Sequence, residues 1–400
     1  MQRPSRSDLS VKWGLDPETV FLNHGSFGAT PLAVREEQRR WQDQMEGEPV
    51  AFLDGEGLEQ TVRARQALAE MLSCDADDLA LVDNATSGVN TVLRSLEFAE
   101  GDELLVPDHA YQACRNALEF VAQRWGAKVV TVHIPFPISS PDVVVKAVMN
   151  AVTSRTVLAM IDTVTSPTGL LMPFEALVKA LESKNVAVLL DAAHGIGMIP
   201  LNLDEVGASY TTSNCHKWLC APKGTAFLHV RKDKQDGIHP LTISHGMSFP
   251  LGTTTRFRHE FDWTGTRDLS AHCSIPATIE HLSGMVEGGW PAIMQRNHDL
   301  AIRGRNIICN ALSIEPPCPD EMVACIATLV LPLKENEPVN IHEQDELSRV
   351  LKERYGVQVP VWTWASPRGR YVRISAQLYN SEEEYQYLAW ALQQLLDGER

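Results

Sequence analysis

The sequence predicts an α/β protein: a large domain built on a mainly parallel seven-stranded sheet, followed by a smaller α+β domain. Three observations carry this reading. Short β-branched or leucine-rich runs alternate with helical patterns between about 79 and 230, the pattern changes after about 270, and 400 residues exceed the size at which one core keeps growing.

The runs, in order, are LALV (79–82), ELLV (103–106), KVVTV (128–132), TVLAMI (156–161), VAVLL (186–190), ASYTT (208–212) and TAFLHV (225–230). Each is short and apolar, as a strand covered on both faces must be. Between them SGVNTVLRSLEF, YQACRNALEFVAQR and FEALVKALESK read as helices. Sheets of this kind collect ligands at the carboxyl ends of their strands. Beyond 270 the order is a long helix (about 290–312), a strand within VACIATLVLPL (323–333), a helix near 343–354, the strand YVRIS (371–375) and the closing helix SEEEYQYLAWALQQLL. The expected division is an arm over 1–20, a large domain over 21–270 and a small domain over 271–400, with PLKENEPVN (332–340) as a surface loop.

Composition narrows the function. With 44% hydrophobic and 22% charged residues the chain reads as globular, and no apolar run approaches the ~18 residues of a membrane helix. A formal charge of −16 disfavours nucleic acid and anionic membranes as main partners. The first 20 residues lack an apolar leader core, so the cytoplasm is the expected compartment. Eight cysteines are scattered without CxxC or paired-histidine spacing, so no metal site is expected and the thiols read as buried.

The chemistry concentrates at predicted strand ends. Asp191 closes VAVLLD, where a carboxylate requires a cation or a helix-capping role. Lys217, in SNCHKW, follows the next strand beside Trp218; it reads as a desolvated amine for Schiff-base chemistry or as a surface lysine. Together they fit pyridoxal 5'-phosphate, which takes a lysine at its aldehyde and a carboxylate at its pyridine nitrogen. Ser213 and His216 then flank the lysine as phosphate donors. Ala85 and Thr86, in DNATSGVN, open a helix whose free N–H groups suit the same phosphate, or simply cap it. Tyr111 is placed to stack on the pyridine ring or to exchange a proton, the alternative being a core tyrosine. Ser166 and Thr168, in DTVTSPTG, are candidate donors to the ring oxygen, a task His194 shares, or parts of a turn around Pro167. Arg373 alternates with apolar neighbours, so its guanidinium needs an anion: a substrate carboxylate or an internal partner.

The ordered motifs NHGSFGATP, NATSGVNTVL, DHAYQAC, SPTG, DAAHGIG, SNCHKW, WTGTRD and RISAQLYN resemble the class V aminotransferase family of fold-type I pyridoxal-phosphate enzymes. Within it the chain is similar to the isopenicillin N epimerase group, which includes cysteine desulfhydrase-like and carbon–sulfur lyase relatives. The resemblance implies that Lys217 links to the cofactor aldehyde, Asp191 meets the ring nitrogen and Tyr111 stacks on the ring. It also implies phosphate contacts from Thr86, Ser213 and His216, a carboxylate contact from Arg373, and Asn23 and His24 close to substrate. Thr266, in WTGTRD, would reach the phosphate of a partner subunit, making the protein a homodimer with shared sites. The segment before Arg373 lacks the nucleophilic cysteine of persulfide-forming desulfurases. The resulting expectation is Cα-proton abstraction from an amino acid, followed by β-elimination from a cysteine-type substrate. Epimerisation stands beside it, with transamination, carbon–carbon bond formation and a cofactor-free binding protein as further alternatives.

Overall fold

The computed structural model describes residues 2–333, 339, 345–365 and 368–398. The strands are β1 (Val20–Phe21), β2 (Leu79–Val82), β3 (Glu103–Pro107), β4 (Lys128–Val132), β5 (Thr156–Asp162), β6 (Ala187–Asp191), β7 (Tyr210–Asn214), β8 (Ala226–Val230), β9 (Ile326–Leu331), β10 (Val357–Gln358), β11 (Val361–Ala365) and β12 (Arg368–Ser375). β2 to β8 form one seven-stranded sheet in the order β2-β8-β7-β6-β5-β3-β4. β8 pairs antiparallel with β2 and β7, and the remaining pairs are parallel. All seven runs read from the sequence are strands of this sheet; six are buried along nearly their whole length, as strands covered on both faces are, whereas the edge strand β4 leaves Lys128 and Thr131 exposed. The helix Ala85–Ser95 begins where Asn84 Oδ1 accepts the Ser87 N–H at 2.8 Å. The helix Gln112–Trp125 ends at Gly126, whose φ of 71° only glycine adopts without strain.

β5, β6 and β7 end side by side at Asp162, Asp191 and Asn214. This edge carries the site.

β9, β11 and β12 form an antiparallel sheet in the order β11-β12-β9, on which the helices Gly289–Leu312 and Glu382–Gly398 pack. The predicted domain limits are crossed twice. β1 pairs parallel with β10, tying residues 20–21 to the C-terminal part, and the helix Ile275–Ser283 packs on the helices Leu32–Gly47 and Gly57–Leu72. Of the predicted loop 332–340, residues 334–338 and 340 lie outside the described residues.

Candidate functional site

Two neighbouring cavities with shared walls lie beyond the strand ends. The inner one, about 260 Å³, is lined by Lys217, Asp191, Asp162, His194, His216 and Thr86 among others. The outer one, about 950 Å³, is walled by His109, Arg115, Trp362 and Trp364, and shares Tyr111, Ser166 and Arg373 with the inner one.

Lys217 is partly buried on the turn after β7, and desolvation together with the Arg373 charge lowers its pKa to about 8. Its Nζ lies 3.2 Å from His194 Nε2. The turn is clamped from behind. His24 Nε2 donates to the Lys217 carbonyl at 3.0 Å, and since burial keeps this ring neutral, Nδ1 accepts the Tyr379 hydroxyl at 2.8 Å. Gly28, with φ 71°, passes so close that a Cβ would lie 2.1 Å from the His216 carbonyl. His24 therefore supports the lysine backbone and is not on the cavity wall, and Asn23 accepts from Ser26 Oγ at 2.6 Å rather than lining the cavity itself.

Asp191 accepts the Ala193 N–H at 2.9 Å and the Cys114 thiol at 3.3 Å. Burial raises its pKa, while these donors and Lys217 pull it back. Asp162, its register partner on β5, was not anticipated from the sequence. Burial and the Asp191 charge push Asp162 well above the usual carboxylate range, and its Oδ2 has no partner. Two adjacent carboxylates in a dry site do not both ionise. Asp191, which has the donors, holds the charge, and Asp162 keeps its proton.

The start of the helix Ala85–Ser95 meets the same cavity. The Ala85 N–H is taken by Asn214 Oδ1 at 2.8 Å, so at this end Thr86 and the Asn214 amide face the cavity, and Asn214 is a second residue the sequence reading passed over. His216 donates Nδ1–H to the Thr225 carbonyl at 2.9 Å. Burial lowers the His216 pKa to about 4, so an anion at Nε2 must bring the ring its second proton.

Ser213 does not reach the cavity. It is buried, donates to the Ala192 carbonyl and accepts the Ile196 N–H at 3.3 Å, pinning the segment after Asp191 to β7. Thr168 is likewise absorbed by its turn, bonded to Thr165 Oγ1 at 2.7 Å and His109 Nδ1 at 2.9 Å. Ser166 is retained at the junction, where its carbonyl and hydroxyl face Arg373. Tyr111 stands at the same junction, 47% exposed. Thr266 is exposed and lines neither cavity of its own chain.

Arg373 is buried and donates to the Ser166 carbonyl and to Ser26 Oγ, the latter at 2.9 Å, while its Nε has no partner. Among the described residues no carboxylate meets it. Burial lowers its pKa to about 10. These side chains fit pyridoxal phosphate: a desolvated amine, an acid for the ring nitrogen, donors at a helix start for the phosphate, and an uncompensated cation for a carboxylate.

Comparison with known proteins shows the family. The chain is 31% identical to a probable chloroplastic L-cysteine desulfhydrase of Arabidopsis thaliana, over 96% of this chain and 84% of that one. It is 30% identical to isopenicillin N epimerase of Streptomyces clavuligerus, over 95% and 96%. Its fold matches that of the cystine C–S lyase C-DES in complex with cysteine persulfide, with a TM-score of 0.77 at 19% identity over 94% and 97%. The aminotransferase class-V family model matches residues 50–388, and the chain belongs to that family of pyridoxal-phosphate enzymes.

Proposed function

We propose that the enzyme removes the Cα proton of a cysteine-type amino acid and eliminates its sulfur substituent. One observation carries the reading: Lys217, Asp191 and Arg373, which meets no carboxylate among the described residues, line one cavity that shares Tyr111, Ser166 and Arg373 with a larger aromatic-walled one. Pyridoxal phosphate, when bound, withdraws electrons from Cα and makes its proton acidic. Arg373 binds the substrate carboxylate, and Lys217, whose lowered pKa makes its free amine accessible near neutral pH, takes the Cα proton. Asp191 keeps a proton on the ring nitrogen. Thr86, Asn214 and His216 hold the phosphate. Tyr111, at the junction, delivers a proton to the departing sulfur. Among the described residues no cysteine lines the outer cavity, which supports release of sulfur as a free thiol or sulfide rather than its capture by the enzyme.

With a carboxylate on Arg373, the side chain of the substrate extends towards Trp362 and Trp364, and the outer volume accommodates an S-substituted cysteine as well as cysteine. A homodimer belongs to this reading. Leu241, Ile243, Met247, Phe249 and Leu251 are exposed within one segment, and Thr266 stands outside its own cavity, as a residue serving a partner would. Among the described residues no helix is long and apolar enough to cross a membrane, and the eight free thiols support a reducing compartment such as the cytoplasm.

The test is product analysis of the holoenzyme with L-cysteine and S-benzyl-L-cysteine in deuterium oxide. Elimination consumes one water and yields pyruvate, ammonia and the thiol (or sulfide) in equal amounts. Epimerisation is the second reading, favoured by the near-full-length similarity to isopenicillin N epimerase. Inverted, Cα-deuterated amino acid without pyruvate would establish it and reject elimination.

A further inference from the structure

We infer that Trp218 fixes the proton of His194 on Nε2, and that His194 thereby biases Lys217 towards the free amine. Trp218 follows Lys217 directly in the chain, yet its indole turns back under the site. Its Nε1 lies 3.0 Å from His194 Nδ1. An indole N–H only donates, so Nδ1 must accept and carries no proton. An imidazolium would need a proton on that same nitrogen, so the ring is neutral and its single N–H sits on Nε2. That nitrogen is 3.2 Å from Lys217 Nζ. A donor facing the amine favours the form with a lone pair on Nζ, which an ammonium lacks.

The arrangement is rigid. Trp218 and His194 are 1% and 2% exposed, and the indole is held on its other side by the His24 ring at a centroid distance of 4.9 Å. The other titratable and charged groups around the amine act in different senses. Burial and Arg373 from β12 favour the neutral form, whereas Asp191 from β6 and the Cys114 thiol from the helix Gln112–Trp125 favour the charged one. The fixed Nε2–H adds to the side of the neutral amine.

Trp218 is thus a positioning residue, acting on Lys217 through His194. In the loaded enzyme the same lock leaves Nε2–H as the only proton His194 can offer towards the lysine side of the cavity. The inference concerns the protonation of this chain's own side chains, and it does not depend on whether elimination or epimerisation follows.

Histidine-selective 15N NMR on the wild-type holoenzyme, and on the full chain with cofactor removed, reads the tautomer directly, with His194→Gln identifying the signal. The expected spectrum has the proton on Nε2 in both. A proton on Nδ1, or an imidazolium at neutral pH, overturns the inference without recourse to any variant. Trp218→Phe keeps an aromatic ring and removes the donor. In the cofactor-free chain this change is expected to mix the tautomers and to slow acylation of Lys217 at pH 7 by roughly 3- to 10-fold, read by peptide mass spectrometry, as expected for loss of one hydrogen bond's bias. Unchanged tautomer and unchanged acylation in a folded variant also overturn it.

Discussion

Replacing Arg373 by methionine should strengthen the cofactor-free fold while crippling substrate binding. The guanidinium is buried, its pKa falls from 12.5 to about 10, and no carboxylate among the described residues meets it. At ~1.4 kcal/mol per tenfold, that depression costs the charged form roughly 3 kcal/mol. The sign follows from a folded value below the unfolded one: the penalty is full at every pH below about 10 and fades only as pH rises towards 12.5. Methionine removes it. The substitution also loses the bonds to the Ser166 carbonyl and Ser26 Oγ, about 1 kcal/mol each, which leaves a net gain of roughly 1 kcal/mol. For 400 residues this raises the unfolding temperature by only about 1 °C. Binding moves much further. Losing the cation opposite a buried carboxylate costs ~2–5 kcal/mol, or roughly 30- to several-thousand-fold in Kd. Differential scanning calorimetry of the cofactor-free chain, with amino-acid titration of the holoenzyme by its visible spectrum, measures both. A variant several degrees less stable that binds amino acids as the wild type does would refute the argument.

Two further outcomes follow from the same geometry. Lys217→Met should stabilise the cofactor-free chain by roughly 3 kcal/mol at pH 7, because burial lowers the lysine from 10.5 to about 8. The unfolded chain binds the extra proton between those values, so the wild type gains stability as pH rises through this window, and the advantage of the variant should shrink between pH 8 and pH 10 in urea titrations. Gly28→Ala places a Cβ 2.8 Å from the Lys217 Cα, at a φ of 71° that alanine resists. It should lower the unfolding temperature and shift the visible band of the bound cofactor, and wild-type values for both would show that the N-terminal segment does not set the lysine turn.

Legibility varied along the chain for physical reasons. The strands were readable because each is a short apolar run bounded by polar turns, and VAVLL or TAFLHV can hardly be anything but a buried strand. The helix Leu32–Gly47 was not read, since only Val34 is buried among its 16 residues and the inward stripe, continued by Gln38, Trp41 and Met45, is thin. The helix Gly57–Leu72 buries Gln60, Thr61 and Arg65 alongside its apolar residues, which blurs the same signal. Asp162 had a readable sign, an acid closing a buried strand as Asp191 does, but one such acid already satisfied the expected chemistry.

The sequence by itself determined the sheet and the kinds of group at its edge: an amine, acids, hydroxyls, imidazoles and one inward guanidinium. Only the tertiary structure decided which of them share a cavity and which way their protons point. Ser213 and Asn214 are adjacent on β7, and alternation sends one under the segment after Asp191 and the other to the helix start at Ala85, a choice that depends on where the strand lies in the sheet. The bonds from Trp218 to His194 and from His24 to the Lys217 turn join residues distant in the chain or folded back upon it, and no local pattern encodes a direction that arises from packing.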